Sequence, residues 1–219
     1  MEYSVVDYHQ VVMNSSVLGM VVMMDNVIRI GIVGAPHSGK SSLTRYLRKY
    51  FIDEYNVVIA EDVSDRLFKE GLDPGNNISE LNFQIECLKA YANQYKEVDR
   101  YVKKYISDMD KKTLIIYDTL PAMGQCFLNS SEDLHEWVEQ STKENFGEYK
   151  VDIVFVMDML QGEYRLDDHV VERDFDLEDL LTIADRIEYV FEGGIMLPSD
   201  LTIDERAGAI IEAVYDFLN

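Results

Sequence analysis

Short apolar runs alternate along this chain with longer stretches whose apolar residues recur at helical spacing. Residues 27–33 (VIRIGIV) read as a buried strand and residues 42–51 as an amphipathic helix. A second strand is predicted at 56–60 and a helix at 64–70, before a loop at 71–77 rich in Gly, Pro and Asn. Ser79 stands where it would cap a long helix reaching about residue 106, with Leu81, Ile85, Leu88, Tyr91 and Tyr95 on one face. A third strand runs over 111–118. Helices follow at 121–128 and 131–145, the second held to the core by Trp137. Residues 152–157 read as a fourth strand, 177–184 as a short helix and 186–191 as a fifth strand. Thr202 and Glu205 form a capping box for a last helix ending near Leu218. Apolar strands that alternate with helices predict an α/β fold, a parallel sheet of about five strands with helices on both faces. Ligands of such sheets gather at the carboxyl ends of the strands.

Chemistry enters between the first strand and the first helix. Gly34, Ala35, Pro36, His37, Ser38, Gly39, Lys40 and Ser41 spell G-x-x-x-x-G-K-S, the phosphate-binding P-loop, in the strand–loop–helix setting that the motif needs. The predicted fold is thus the three-layer P-loop NTPase fold. Glycines let the backbone approach an anion, and the amides up to Ser42 point into one concavity at a helix N-terminus. Lys40 is expected to reach the β- and γ-phosphates and the Ser41 hydroxyl to ligate Mg²⁺, so ATP and Mg²⁺ are the implied ligands. His37 is read as a solvent-facing spacer; the alternative is a phosphate or substrate contact.

The third strand ends on Asp118 after four apolar or aromatic residues, a Walker B pattern that makes Asp118 the second candidate for the metal. No D-x-x-G follows Asp118 and no N-K-x-D follows the fourth strand, which argues against a GTPase switch. Glu61 and Asp62 follow the second strand. A carboxylate there would accept the proton of an acceptor hydroxyl, and the sequence leaves open which of the two does so. Residues 161–173 resemble a lid. In it Arg165 and Arg173 would close over the phosphates and stabilise charge in transfer, or else pair with surface carboxylates. His169 is read as a surface residue of that lid.

The formal net charge of −21 opposes sequence-independent binding of nucleic acid, which depends on Lys and Arg. It does not oppose a P-loop, which holds its anion through local amides and one lysine. No apolar run is long enough to span a membrane, and the apolar, methionine-rich residues 1–26 lack the basic start of a signal peptide. They read as an extension dispensable for a domain at 27–219. Cys87 and Cys126 lie far apart without metal-ligand spacing and read as reduced, buried thiols, which fits a cytoplasmic protein.

With these residues in place, the chain from about 27 to 218 resembles the kinase domain of NadR-type ribosylnicotinamide kinases and the AAA-domain ATPases close to them. Ile115-Ile116-Tyr117-Asp118-Thr119 is similar to that family's strand ending in Asp-Thr-Asp, with Leu120 in place of the second aspartate. The fourth strand followed by Glu163-Tyr164-Arg165-Leu166-Asp167-Asp168 resembles the family's lid, with His169 where a glycine is expected and an arginine later, at Arg173. Glu61 matches the first residue of the family's Glu-x-x-Arg, whose arginine place holds Ser64, with Arg66 two residues on. The resemblance implies ATP-dependent phosphoryl transfer to the 5′-hydroxyl of a small nucleoside-like substrate such as nicotinamide riboside. Two other readings stay open: an ATPase module that regulates a partner, and a nucleoside monophosphate kinase. The last is weakened by the scarcity of arginines near predicted strand ends.

Overall fold

The computed structural model describes residues 26–36, 38–74, 77–105, 111–128, 132–147, 151–158 and 177–218. The extension up to residue 25, His37 and the predicted lid with Arg165, His169 and Arg173 lie outside the described residues.

Strand β1 (Val27–Gly34) leads into helix α1 (Lys40–Phe51), followed by β2 (Asn56–Ala60), α2 (Val63–Lys69) and the long α3 (Glu80–Tyr105). Then come β3 (Thr113–Asp118), a 3-10 helix (Pro121–Phe127), α4 (Glu132–Phe146), β4 (Ile153–Met157), α5 (Leu177–Val190), β5 (Ile195–Leu197) and α6 (Ile203–Leu218). The strands form one sheet in the order β2-β3-β1-β4-β5, and every pairing is parallel. The predicted α/β fold with five parallel strands is therefore the observed one.

Alternating side chains on each strand serve opposite faces of the sheet. Ile28, Ile30 and Ile32 meet Leu43, Leu47 and Phe51 of α1 and Ala207, Ile210 and Val214 of α6 on one face. Val33, Ile115 and Tyr117 meet α2, α3 and α5 on the other. Burial on both sides explains why β3 reads as an apolar run and β1 as one interrupted only by Arg29, which pairs with Asp99 at 3.3 Å. Caps fix the helix starts. Ser79 Oγ accepts from the Asn82 amide at 3.3 Å. Thr202 and Glu205 bond reciprocally, Glu205 Oε2 accepting from the Thr202 amide at 2.8 Å and Thr202 Oγ1 from the Glu205 amide at 3.3 Å. Trp137 packs α4 against the core as expected, and both cysteines are buried thiols that form no disulfide.

Two expectations fail. Residues 186–191 are not a strand: α5 continues to Val190, with Ile183 and Ile187 buried one helical turn apart while Tyr189 is 83% exposed. Ile187, Tyr189 and Phe191 mimic the period of a strand, yet only the helical spacing buries a consistent face. The fifth strand is instead the three-residue Ile195–Leu197 at the sheet edge, paired with Phe155, Val156 and Met157. The helix predicted at 121–128 is a 3-10 turn begun by Pro121.

Candidate nucleotide-binding site

Register brings the candidate residues to one end of the sheet. Ile32 pairs with Asp118 and Gly34 with Met157, so Asp118 lies one strand over from the start of the loop. Ala60 pairs with Tyr117, which sets Glu61 level with Asp118 and Asp62 one residue beyond.

The loop itself is tightly built. A Cβ on Gly34 would sit 2.7 Å from Ser38 Oγ and 2.8 Å from the Met157 carbonyl, so only glycine lets the loop fold this close to β4. Gly39 takes φ 91°, the left-handed conformation that turns the chain into α1. The first N–H groups of a helix lack intrahelical partners, and the first turn of α1 holds no acidic residue. Lys40 Nζ donates to the carbonyls of Gly34 at 2.9 Å and Ala35 at 3.0 Å, which keeps the ammonium over the loop. Ala35 and Ser38 are buried, Pro36 is half-buried, and Ser41 and Ser42 lie exposed at the start of α1.

Asp118 is 5% exposed, and its Oδ1 has no hydrogen-bond partner among the described residues. Burial pushes its carboxyl up to about 6, against the pull of the Lys40 ammonium and a hydrogen bond from Ser41; the charges of Asp62 and Asp65 push it further up. A cation beside Asp118 would supply the favourable field that burial removes. Ser41 and Asp118 therefore fit the donor set expected for Mg²⁺, which keeps several waters and takes only one or two protein oxygens beside phosphates. Among the described residues no three His, Cys, Asp or Glu side chains gather to hold a metal ion by themselves.

The two strand-end acids part company. Glu61 is exposed, and it is fixed through its backbone, whose carbonyl accepts from Gln94 Nε2 of α3 at 2.6 Å. Asp62 is half-buried and caps α2: its Oδ1 accepts from the Ser64 amide at 2.8 Å, the Ser64 hydroxyl at 2.6 Å and the Asp65 amide at 3.4 Å. Its Oδ2 accepts from the Thr119 hydroxyl at 3.0 Å. Asp62, not Glu61, is felt at Asp118. It is felt also at Tyr91 on α3, a buried phenol raised well above 10, first by burial and next by Asp62.

Two further residues shape this region, neither of them among the site residues expected from the sequence. Thr119 adopts φ 91°, a strained conformation for a β-branched residue, while its amide donates to the Ile32 carbonyl at 3.0 Å. Arg206, fully buried on α6, donates to the carbonyls of Ser38, Asp158 and Pro198. Its signal is present in the sequence: an arginine on the apolar face of a helix otherwise marked by Ile203, Ala207, Ile210 and Val214.

The sequence profile of the AAA domain family matches residues 29–197, most of the chain and all of the sheet but the first two residues of β1. The chain belongs to the AAA domain family. Comparison with curated proteins returns no match. Among solved structures the chain is similar to thymidylate kinase from Ehrlichia chaffeensis, with a TM-score of 0.61 and 15% identity over 86% of this chain and 99% of that one. At that identity the likeness speaks for the fold, a P-loop kinase-like α/β sheet, which this AAA domain chain shares. The NadR-like specificity expected from the resemblance has no counterpart in these comparisons.

Proposed function

We propose that this AAA domain protein binds ATP with Mg²⁺ and transfers the γ-phosphoryl group to a hydroxyl of a small nucleoside-like substrate. One observation carries the reading. The described residues of the phosphate loop, a buried Asp118 and a tethered Asp62 stand together at the carboxyl end of the sheet. Phosphoryl transfer asks mainly for positioning and charge neutralisation, and these groups supply both.

In this reading the backbone amides at 34–42 hold the phosphates and Lys40 leaves its own loop carbonyls for the β- and γ-phosphates. Ser41 and Asp118 hold Mg²⁺, which when bound screens the charge of the phosphates. Asp62 accepts the proton of the acceptor hydroxyl, because its carboxylate is tied to Thr119, the residue after Asp118, while that of Glu61 is exposed. Arg165 and Arg173 complete the proposal as lid residues. The charges of Asp62 and Asp65 at the acceptor side disfavour a second phosphate there, which supports a nucleoside over a nucleoside monophosphate. Membership of the AAA domain family favours a second reading, an ATPase module whose hydrolysis acts on a partner.

ATP consumption measured against a panel of nucleosides, including nicotinamide riboside and thymidine, and their monophosphates separates these readings. Stimulation by one nucleoside is the expected result. Stimulation by thymidine monophosphate alone would move the assignment to a nucleoside monophosphate kinase. Slow hydrolysis indifferent to the panel would favour the ATPase module.

A further inference from the structure

We propose that Arg206 is a positioning residue for the phosphate loop: it locks the Ser38–Gly39 peptide so that the Gly39 N–H faces the bound phosphates. This rests on the proposed phosphate binding at residues 34–42.

The guanidinium is 0% exposed. Its Nη1 donates to the Ser38 carbonyl at 3.3 Å and the Asp158 carbonyl at 3.2 Å. Nε and Nη2 both reach the Pro198 carbonyl, at 3.1 and 2.6 Å. One planar group thus joins three segments at the carboxyl end of the sheet: the phosphate loop, the residue after β4 and the residue after β5. A trans peptide is planar, with its C=O and N–H pointing in opposite directions. Anchoring the Ser38 oxygen inward on Arg206 therefore turns the Gly39 N–H outward. Gly39 is left-handed, the conformation that lets successive amides converge on an anion.

Simple space-filling does not account for the residue. A buried arginine carries a large desolvation cost unless its donors are satisfied, and an aliphatic side chain would suit a position between Ile203 and Ile210 better. The position of Arg206 is in turn set by the capping box one turn earlier: Thr202 and Glu205 fix the start of α6, and the Arg206 amide donates to the Thr202 carbonyl at 2.9 Å. The positive charge also lies behind a loop that receives anions, where it adds to the field of the helix start.

The test compares Arg206→Met and Arg206→Lys with the unaltered chain. Binding of MgATP, inorganic tripolyphosphate and adenosine is measured by calorimetry, with the Gly39 amide followed by NMR. Removal of the fork leaves the Ser38 carbonyl buried without its donor. Arg206→Met is therefore expected to weaken MgATP and tripolyphosphate by the same factor, about tenfold or more, with a shifted Gly39 amide signal. Arg206→Lys keeps the charge but not the fork, and should fall between; if the Met variant does not fold, the Lys variant decides. Weakening confined to MgATP would place the effect in the loop after β5 and overturn the inference. So would unchanged affinities in a variant whose only change is a lower melting temperature. An unaltered chain that binds neither polyphosphate nor MgATP would overturn the nucleotide reading and this inference with it.

Discussion

The Thr119 hydroxyl donates to Asp62 Oδ2 at 3.0 Å, tying the end of β3 to the end of β2. Thr119 also holds φ 91°, a conformation that costs a β-branched residue on the order of 1–3 kcal/mol. Strain and hydrogen bond act in opposite directions on stability, and substitutions separate them. Thr119→Ser keeps the hydroxyl and should keep activity. Thr119→Val keeps the strain and loses the bond, and should lower stability by about 1 kcal/mol. Thr119→Gly loses both, so its melting temperature should stay near that of the parent while substrate-dependent turnover falls. Equal turnover in the Gly and parent chains would show that the tether does not position Asp62 for chemistry.

Asp118 gives a prediction that depends on pH. Its carboxyl is raised to about 6 in the fold, from an ordinary 3.8. A raised acid binds its proton more tightly when folded. Its contribution is therefore favourable below the ordinary value and is lost as pH rises through 6. Above that the buried charge costs up to about 3 kcal/mol, since each tenfold gain in proton affinity corresponds to about 1.4 kcal/mol. Asp118→Asn removes this cost, so in EDTA the variant should unfold at higher urea than the parent at pH 8, and the advantage should shrink toward pH 5. The same variant should lose the Mg²⁺ dependence of nucleotide binding. A variant no more stable than the parent at pH 8 would contradict the account of Asp118 as a strained, metal-ready carboxylate.

The strands that bury both faces were legible because burial itself leaves a trace: β1 and β3 are apolar runs bounded by turn residues. The phosphate loop was legible because its glycines answer a geometric demand, as the crowding at Gly34 shows. The fifth strand was not, because three edge residues, two of them exposed, carry no period. Nearby, the period of Ile187 and Tyr189 in α5 imitated one. The different settings of Glu61 and Asp62 were also hidden. They depend on which carboxylate meets Thr119 across two strands, a contact that separates residues 57 positions apart.

Lys40 donates to its own loop, through the Gly34 and Ala35 carbonyls. Its removal should therefore leave the fold nearly untouched. Lys40→Met is expected to change unfolding free energy by no more than about 1 kcal/mol. Its affinity for MgATP should drop by about tenfold or more, since hydrogen bonds to charged groups are worth roughly 1.5–3 kcal/mol. Calorimetry of binding beside urea unfolding checks both halves. A large loss of stability would mean that the ammonium holds the loop together and is not available to phosphates.

Glu61 and Asp62 give the sharpest contrast, because adjacent residues of like charge differ in what holds them. Asp62→Asn preserves a good helix cap for α2, so stability should change little, whereas Asp62→Ala removes the cap and should cost about 1 kcal/mol. Both Asp62 variants lose the carboxylate proposed to accept the hydroxyl proton, so turnover with the stimulating nucleoside should fall by on the order of 10² or more. MgATP affinity should stay unchanged, because Asp62 does not belong to the phosphate loop. Glu61→Gln changes an exposed side chain whose structural bond runs through its backbone carbonyl, and should leave turnover and stability as they are. The decisive measurement is steady-state turnover beside nucleotide affinity for all three variants. If Glu61→Gln loses turnover and Asp62→Asn does not, the base belongs to Glu61, and the tether from Thr119 serves the helix cap alone.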